Sequence, residues 1–402
     1  MKCRRFILLV YIAVSCLPAL AYNSKNNFYL RFSFFDDTIT VVTDSSVLVP
    51  FNQSLSGDAI AAFYKSLNAS GYQPVIDTLL AYKTRHKLSD WLYYQLIRKT
   101  AQQIAPKADN YPRYTLYKWF LLAKSGYDAA LAINGHEILF YVYCNENVYD
   151  LPLYTKNNRQ YVCLNYHDYG KIDFTTDSMH EVPVEIPEGQ NAFSYKISSM
   201  PDFKLSDYSE KELQFVFHNK VYHFTVMMNP QVQAIFANYP VVDFESYFNI
   251  PLTNGTYSSL IPALKKQVSK LSCKEGVDYL MQFTRNAFLY ENDQENFGKE
   301  KRLSPEQTLL YQYSDCDDRV ALFYYLVKEI YNLPMIALLY PTHITMAVKF
   351  NKPIGRSVVY NGQQYSVCEP TAQSEKLGVG EIPAHLKNSS YQVVFEYDPG
   401  KK

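Results

Sequence analysis

Excess charge of either sign is missing from this chain: Lys plus Arg and Asp plus Glu number 39 each over 402 residues. A balanced chain projects no broad field toward nucleic acid or an anionic membrane, so neither is expected as a partner. Long apolar runs are also missing. Apart from the extreme N-terminus no segment approaches the about 18 apolar residues a membrane helix needs, so no transmembrane span is expected. Motifs for a metal, a nucleotide or a flavin are absent, as is an EF-hand loop, so no cofactor and no metal site is expected. Charged residues reach only 19% against 48% apolar, which excludes a disordered chain. Two or three compact units fit in this length.

What is present begins with an export signal. Lys2, Arg4 and Arg5 form a basic start, Phe6 to Val14 an apolar run, and Pro18 to Ala21 a small-residue cleavage site. Residues 1–21 therefore read as a signal peptide, and the protein as periplasmic or bound to the cell envelope. Ala13-Val14-Ser15-Cys16 is an imperfect lipobox, which leaves a lipid anchor at Cys16 as the rival to soluble export. Tyrosine is abundant, with 37 residues, and its expected role is packing at half-buried faces.

Five cysteines follow the cleavage site: Cys144, Cys163, Cys273, Cys316 and Cys368. Cys144 and Cys163 fall on neighbouring predicted strands and form the candidate disulfide. The odd count leaves a free thiol for Cys316.

The chain also repeats itself. The C-terminal half offers a helix from Asp278, a second from Asp317 to Tyr331, and strands at 335–340, 343–350 and 364–369. The N-terminal half offers a helix from Asp90, another at 113–124, and strands at 129–133, 138–144 and 160–164. In this alignment Asn110 falls opposite Cys316, His136 opposite His343, and Leu164 opposite Glu369. The first copy lacks the thiol and reads as a structural or substrate-holding unit. Residues 171–240 between the copies alternate in a β pattern at 182–187, 192–197, 213–217 and 222–227, and predict a small antiparallel module.

Chemistry concentrates in the second copy. Cys316 stands within Ser314-Asp315-Cys316-Asp317-Asp318-Arg319, just ahead of an apolar helix. The helix N-terminus favours a thiolate, and the Cys316 N–H is placed to bind an oxyanion. Asp315, Asp317 and Asp318 are expected to cap the helix and face away from the sulfur, with Arg319 paired to one of them. His343 opens a β-run and Glu369 ends another before Pro370. Imidazole can take the thiol's proton while a carboxylate holds its tautomer, so Cys316, His343 and Glu369 are the candidate catalytic triad. Gln312 and Tyr313 are candidates for a second oxyanion donor. The polar stretch from Glu291 to Arg302 reads as a solvated loop, with a lip over the site through Phe297 as the alternative.

These residues carry a resemblance. Tyr313 to Arg319, the lone His343 before a β-run, and Cys368-Glu369-Pro370-Thr371 look like the transglutaminase-like superfamily, whose core is related to papain-like cysteine proteases. The run from Asn249 to Thr371 resembles exported members from Bacteroidetes-type bacteria. The resemblance implies an α+β fold of two transglutaminase-like (papain-like) units, the first degenerate, separated by the small antiparallel module. The expected boundaries are 22–170, 171–240 and 241–402. It implies Cys316 as nucleophile, His343 as base then acid, and Glu369 as orienter, acting on a peptide or protein carboxamide by hydrolysis or amine transfer. Glu369 departs from the family's usual Asp, and no glycine precedes the cysteine. A non-enzymatic envelope scaffold of two degenerate units is the alternative. Oligomeric state is left open.

Overall fold

The computed structural model describes residues 27–170, 172–174, 179–293, 295, 301–372 and 376–401. The signal segment, Cys16 and Phe297 lie outside the described residues. The fold is mixed α+β, built on two five-stranded antiparallel sheets. Among the described residues no helix is long and apolar enough to cross a membrane.

A hairpin opens the first half, β1 (Asn27–Phe34) with β2 (Asp37–Asp44). Four helices follow: α1 (Gly57–Asn68), α2 (Gln73–His86), α3 (Asp90–Ile104) and α4 (Tyr111–Lys124). Then come β3 (Ala129–Asn134), β4 (Glu137–Tyr143), β5 (Val148–Tyr149), β6 (Leu153–Lys156), β7 (Arg159–Cys163) and β8 (His180–Glu181). The sheet runs β6-β7-β4-β3-β8.

The second half repeats the plan. Its hairpin is β9 (Ser209–Phe217) with β10 (Lys220–Met228), followed by α5 (Gln231–Phe236), β11 (Val241–Val242) and α6 (Phe244–Phe248). Helices α7 (Asn254–Val268) and α8 (Cys273–Asn286) come next, then β12 (Leu289–Tyr290), α9 (Pro305–Leu310), β13 (Tyr313–Ser314) and α10 (Cys316–Tyr331). The second sheet is built from β14 (Met335–Tyr340), β15 (His343–Val348), β16 (Ser357–Tyr360), β17 (Gln363–Cys368) and β18 (Gln392–Tyr397). Its order, β16-β17-β15-β14-β18, matches the first sheet strand for strand.

Local chemistry explains the elements. Helix α10 begins at Asp315, whose side chain accepts from the N–H groups of Asp317 and Asp318, while Asp318 returns a bond to the Asp315 N–H. It ends at Asn332 in the left-handed region (φ 52°), whose N–H satisfies the carbonyls of Val327 and Lys328. Val320 to Val327 are buried throughout, so one side of the helix lies on the sheet and the other under α6, α7 and α8. One apolar core runs through both halves, and each sheet keeps a smaller cluster on its outer face.

Several sequence expectations change. Residues 171–240 do not make a separate module. β8 joins the first sheet, and the β9–β10 hairpin packs on α7 and α8 as β1–β2 packs on α2 and α3. Residues 182–187 and 192–197 are extended without forming strands. Val182 and Phe193 N–H still reach carbonyls of β3 and β4, at 2.9 and 2.7 Å, but Ser194 N–H turns to Asp90 and Tyr195 N–H to Glu146, at 3.0 and 2.7 Å. Asp90 opens α3 directly after its cap Ser89, whereas Asp278 lies six residues after the cap Ser272, opposite Gln95 instead.

The disulfide expectation is corrected outright. Cys163 pairs across the sheet with Tyr141, while the Cys144 N–H bonds the carbonyl of Gln160, three positions further along. An odd offset puts the two side chains on opposite faces. Cys144 accordingly sits in the main core and Cys163 in the outer cluster, and both thiols are free. Burial pushes both thiols up to about 12.

Candidate functional site

Sheet register brings His343 and Glu369 together. Strand β15 pairs with β17 so that Met346 faces Cys368, which leaves His343 at the strand's start and Glu369 one residue past the end of β17. His343 Nε2 lies 2.8 Å from Glu369 Oε2. Glu369 is wholly buried, and its other carboxylate oxygen accepts the Thr371 N–H at 2.8 Å. Below it, Arg285 donates to the Glu369 carbonyl and, at 2.7 Å, to that of Leu377. The carboxylate is thus fixed from two sides. With Nε2 engaged, Nδ1 is the nitrogen left for another partner.

Cys316 is the first residue of α10, and its N–H stands outside the helix's own ladder. Its partly buried sulfur lies near enough to the N–H of Ile344, the residue after His343, to feel its dipole, so the thiol lies at the head of β15. Among the described residues no hydrogen bond joins the sulfur to His343. The thiol instead leans on Asp317, with Sγ 3.6 Å from Oδ1. Burial first, then Asp317 and Asp315, push the thiol well above its ordinary range; the Ile344 N–H opposes them.

The acidic neighbours behave differently from the sequence expectation. Asp315 and Asp318 cap the helix, but Asp317 faces the sulfur. Arg319 pairs with none of them: it is fully buried and donates to Ser314 Oγ and to the carbonyls of Arg285 and Phe288. Arg302 takes the role foreseen for it. Its Nε lies 3.1 Å from Asp317 Oδ2, its guanidinium covers Phe244 at 4.1 Å, and it donates to the Val242 carbonyl at 2.6 Å. Nothing in the spacing of the sequence signals this partner, which comes from 15 residues upstream.

Oxygens of Asp293, Asp315 and Asp318 lie within 4.8 Å of one another. Asp318 accepts from the Leu303 N–H and the Tyr247 hydroxyl, and burial followed by the charges of Asp315 and Asp293 raises its carboxyl. Lys301 N–H closes on Asp293 at 2.6 Å. These bonds tie the start of α10 to the segment that precedes α9.

Gln312 and Tyr313 make no side-chain hydrogen bond to the sulfur among the described residues. Gln312 is exposed and offers its carbonyl to the Leu289 N–H, while Tyr313 pairs with Leu289 in the short β12–β13 ladder. Tyr290, which sequence reasoning missed, lies close enough that burial and then the Cys316 and Asp315 charges raise its hydroxyl.

The first half shows what the same frame becomes without the thiol. Its hairpin closes on Asn134 and Glu137 as the second closes on Tyr340 and His343, so Glu137, not His136, holds the histidine's place. Tyr141 pairs with Cys163 as Ala347 pairs with Val367, which puts Asn165 at the place of Glu369. Asn110 caps α4 as Asp315 caps α10, so Tyr111 holds the place of Cys316. The Tyr111 hydroxyl donates to Asp168 at 2.8 Å and accepts from Asn165 at 2.9 Å. An aromatic ring fills the position of the thiol. Compared with family models, with curated proteins and with solved structures, the chain matches none.

Proposed function

We propose that this protein is an exported, cysteine-dependent acyl-transfer enzyme of the transglutaminase-like, papain-related kind. The observation that carries this reading is the 2.8 Å contact from His343 to the fully buried Glu369, with Cys316 at the head of the same strand. The carboxylate fixes the ring and stabilises its cation. Because the resting thiol is held neutral, His343 acts as general base when substrate arrives. The proton moves from sulfur to imidazole as the sulfur attacks a peptide or protein carboxamide carbonyl. The Cys316 N–H binds the resulting oxyanion. His343 then returns the proton to the leaving amine, and water or another amine resolves the thioester.

A second reading has its own support. Asp317 against the sulfur works against a nucleophile, as in a non-enzymatic envelope scaffold that retains the fold. One experiment separates them. A peptidyl p-nitrophenyl ester should give a stoichiometric burst of nitrophenolate and a mass adduct on Cys316, both lost in Cys316→Ala. His343→Ala should slow the burst by about 100-fold. Release no faster than background, with no adduct on Cys316, would leave the scaffold.

A further inference from the structure

Two clefts occupy corresponding places in the two halves. One, of about 890 Å³, lies between the tip of the β9–β10 hairpin and α8; the other, of about 520 Å³, lies between the tip of β1, α3 and the start of α5. Counted from the cap residues Ser272 and Ser89, Asp278 corresponds to Gln95, Met281 to Arg98 and Gln282 to Lys99. The cleft of the second half, lined by Asp278, Arg285 and Lys376, is therefore mixed in charge. The cleft of the first half is cationic, and since the same frame builds both, its charge is not imposed by the fold.

Arg98, Lys99 and Lys107 line this cationic cleft, with Gln95 and Gln102 beside them. Arg98 is positioned by Gln95 Oε1 at 3.0 Å and stacks 6.0 Å from the Tyr94 ring. Among the described residues neither Arg98 nor Lys99 forms a salt bridge. Lys107 meets Asp168 at 2.6 Å, and behind it the buried Lys118 lies 3.8 Å from the same carboxylate. One acid thus meets Lys107 and Lys118 directly and reaches Arg98 only from a distance, so that cations outnumber acids in the cleft. Phe34, Phe35, Ala234 and Ile235 give the same cleft an apolar portion, with Ser33, Tyr114 and Gln231 among them.

We propose that this cleft binds an organic anion, a carboxylate carried on an apolar or aromatic body. Arg98 presents a planar fork matched to a carboxylate, Lys99 adds charge at the rim, and the apolar portion takes the body. The volume is that of a small-molecule site. The site is independent of the chemistry at Cys316.

Calorimetric titration of the full chain with N-acetylphenylalanine tests this, with N-acetylphenylalaninamide and inorganic phosphate as separate arms. One acid should bind per chain, and the amide should bind at least about tenfold more weakly, the loss expected for a charge-assisted contact. Lys99→Glu, at an exposed position clear of the core, should keep the unfolding midpoint and lose the acid by a similar factor. Arg98→Gln should lose it too. Equal affinity for acid and amide, unchanged binding in Lys99→Glu, or no binding of the acid would overturn the proposal. Phosphate binding as tightly as the acid would overturn the apolar half of it.

Discussion

His343 Nε2 and Glu369 Oε2 stand 2.8 Å apart, and the carboxylate has no exposed surface. A group so placed gains its worth from orientation, since it meets no solvent and, among the described residues, bonds through its carboxylate to the ring and the Thr371 N–H. Glu369→Gln keeps the shape and removes the charge that favours the imidazolium. The nitrophenolate burst should fall by about 100-fold or more, with the fold intact by circular dichroism. Glu369→Asp should retain more of the burst than Glu369→Gln; the reverse order would deny the carboxylate its role.

Asp317 is expected to restrain the thiol. Its carboxylate lies 3.6 Å from the sulfur and ranks next after burial among the causes that raise it. In Asp317→Asn, site-resolved alkylation of Cys316 by iodoacetamide at pH 7 should quicken by about fivefold or more. Arg302→Gln should do the opposite, because it frees Asp317 of its counter-charge. Identical rates in all three proteins would show that burial alone governs the sulfur.

Lys118 gives the chain a pH signature. Burial pushes its ammonium down from the ordinary 10.5 to about 7, against the pull of Asp168. Between those values the unfolded chain keeps a proton that the folded chain has released. Stability from this site therefore rises as pH climbs from 7 toward 10.5, and the penalty is fully present below 7. Lys118→Met should stabilise the protein more at pH 6.5 than at pH 9.5, by on the order of 3 kcal/mol in urea unfolding. Asp168 keeps Lys107 and His167 in the variant. A gain equal at both pH values would mean that Lys118 stays charged when folded.

Cys144 and Cys163 should both be found reduced. Unfolding in guanidinium without reductant, followed by alkylation, should label each of them, whereas in the folded protein both resist because they are buried. A peptide linked through the two would contradict the register of β4 and β7.

Much of this architecture was legible in the chain. The strand pair 335–340 and 343–348 follows from two apolar runs around Pro341-Thr342, and β9–β10 from alternation around His218-Asn219. The duplication was visible for the same reason. The exact correspondence was not, because a strand shifted by one residue keeps its pattern while every side chain changes face. That is how His136 was read for Glu137, Leu164 for Asn165, and Cys144 as a partner of Cys163. Residues 182–187 and 192–197 look like strands because their spacing is strand-like; that side chains of Asp90 and Glu146 would take the N–H groups of Ser194 and Tyr195 is a tertiary fact. The direction of Asp317 likewise depends on Arg302, whose approach no local rule encodes.

Between the halves runs a two-residue seam in which β5 pairs with β11, Val148 against Val242 and Tyr149 against Val241. The carbonyl of Val242 holds Arg302, and Arg302 holds the acid beside the sulfur. A half that carries no thiol at this place therefore still forms part of the mount on which the other's thiol is set. Such a copy is free to vary at the residues facing its own Tyr111 but not in its outline, and cutting the chain between the halves would remove a support as well as a passenger.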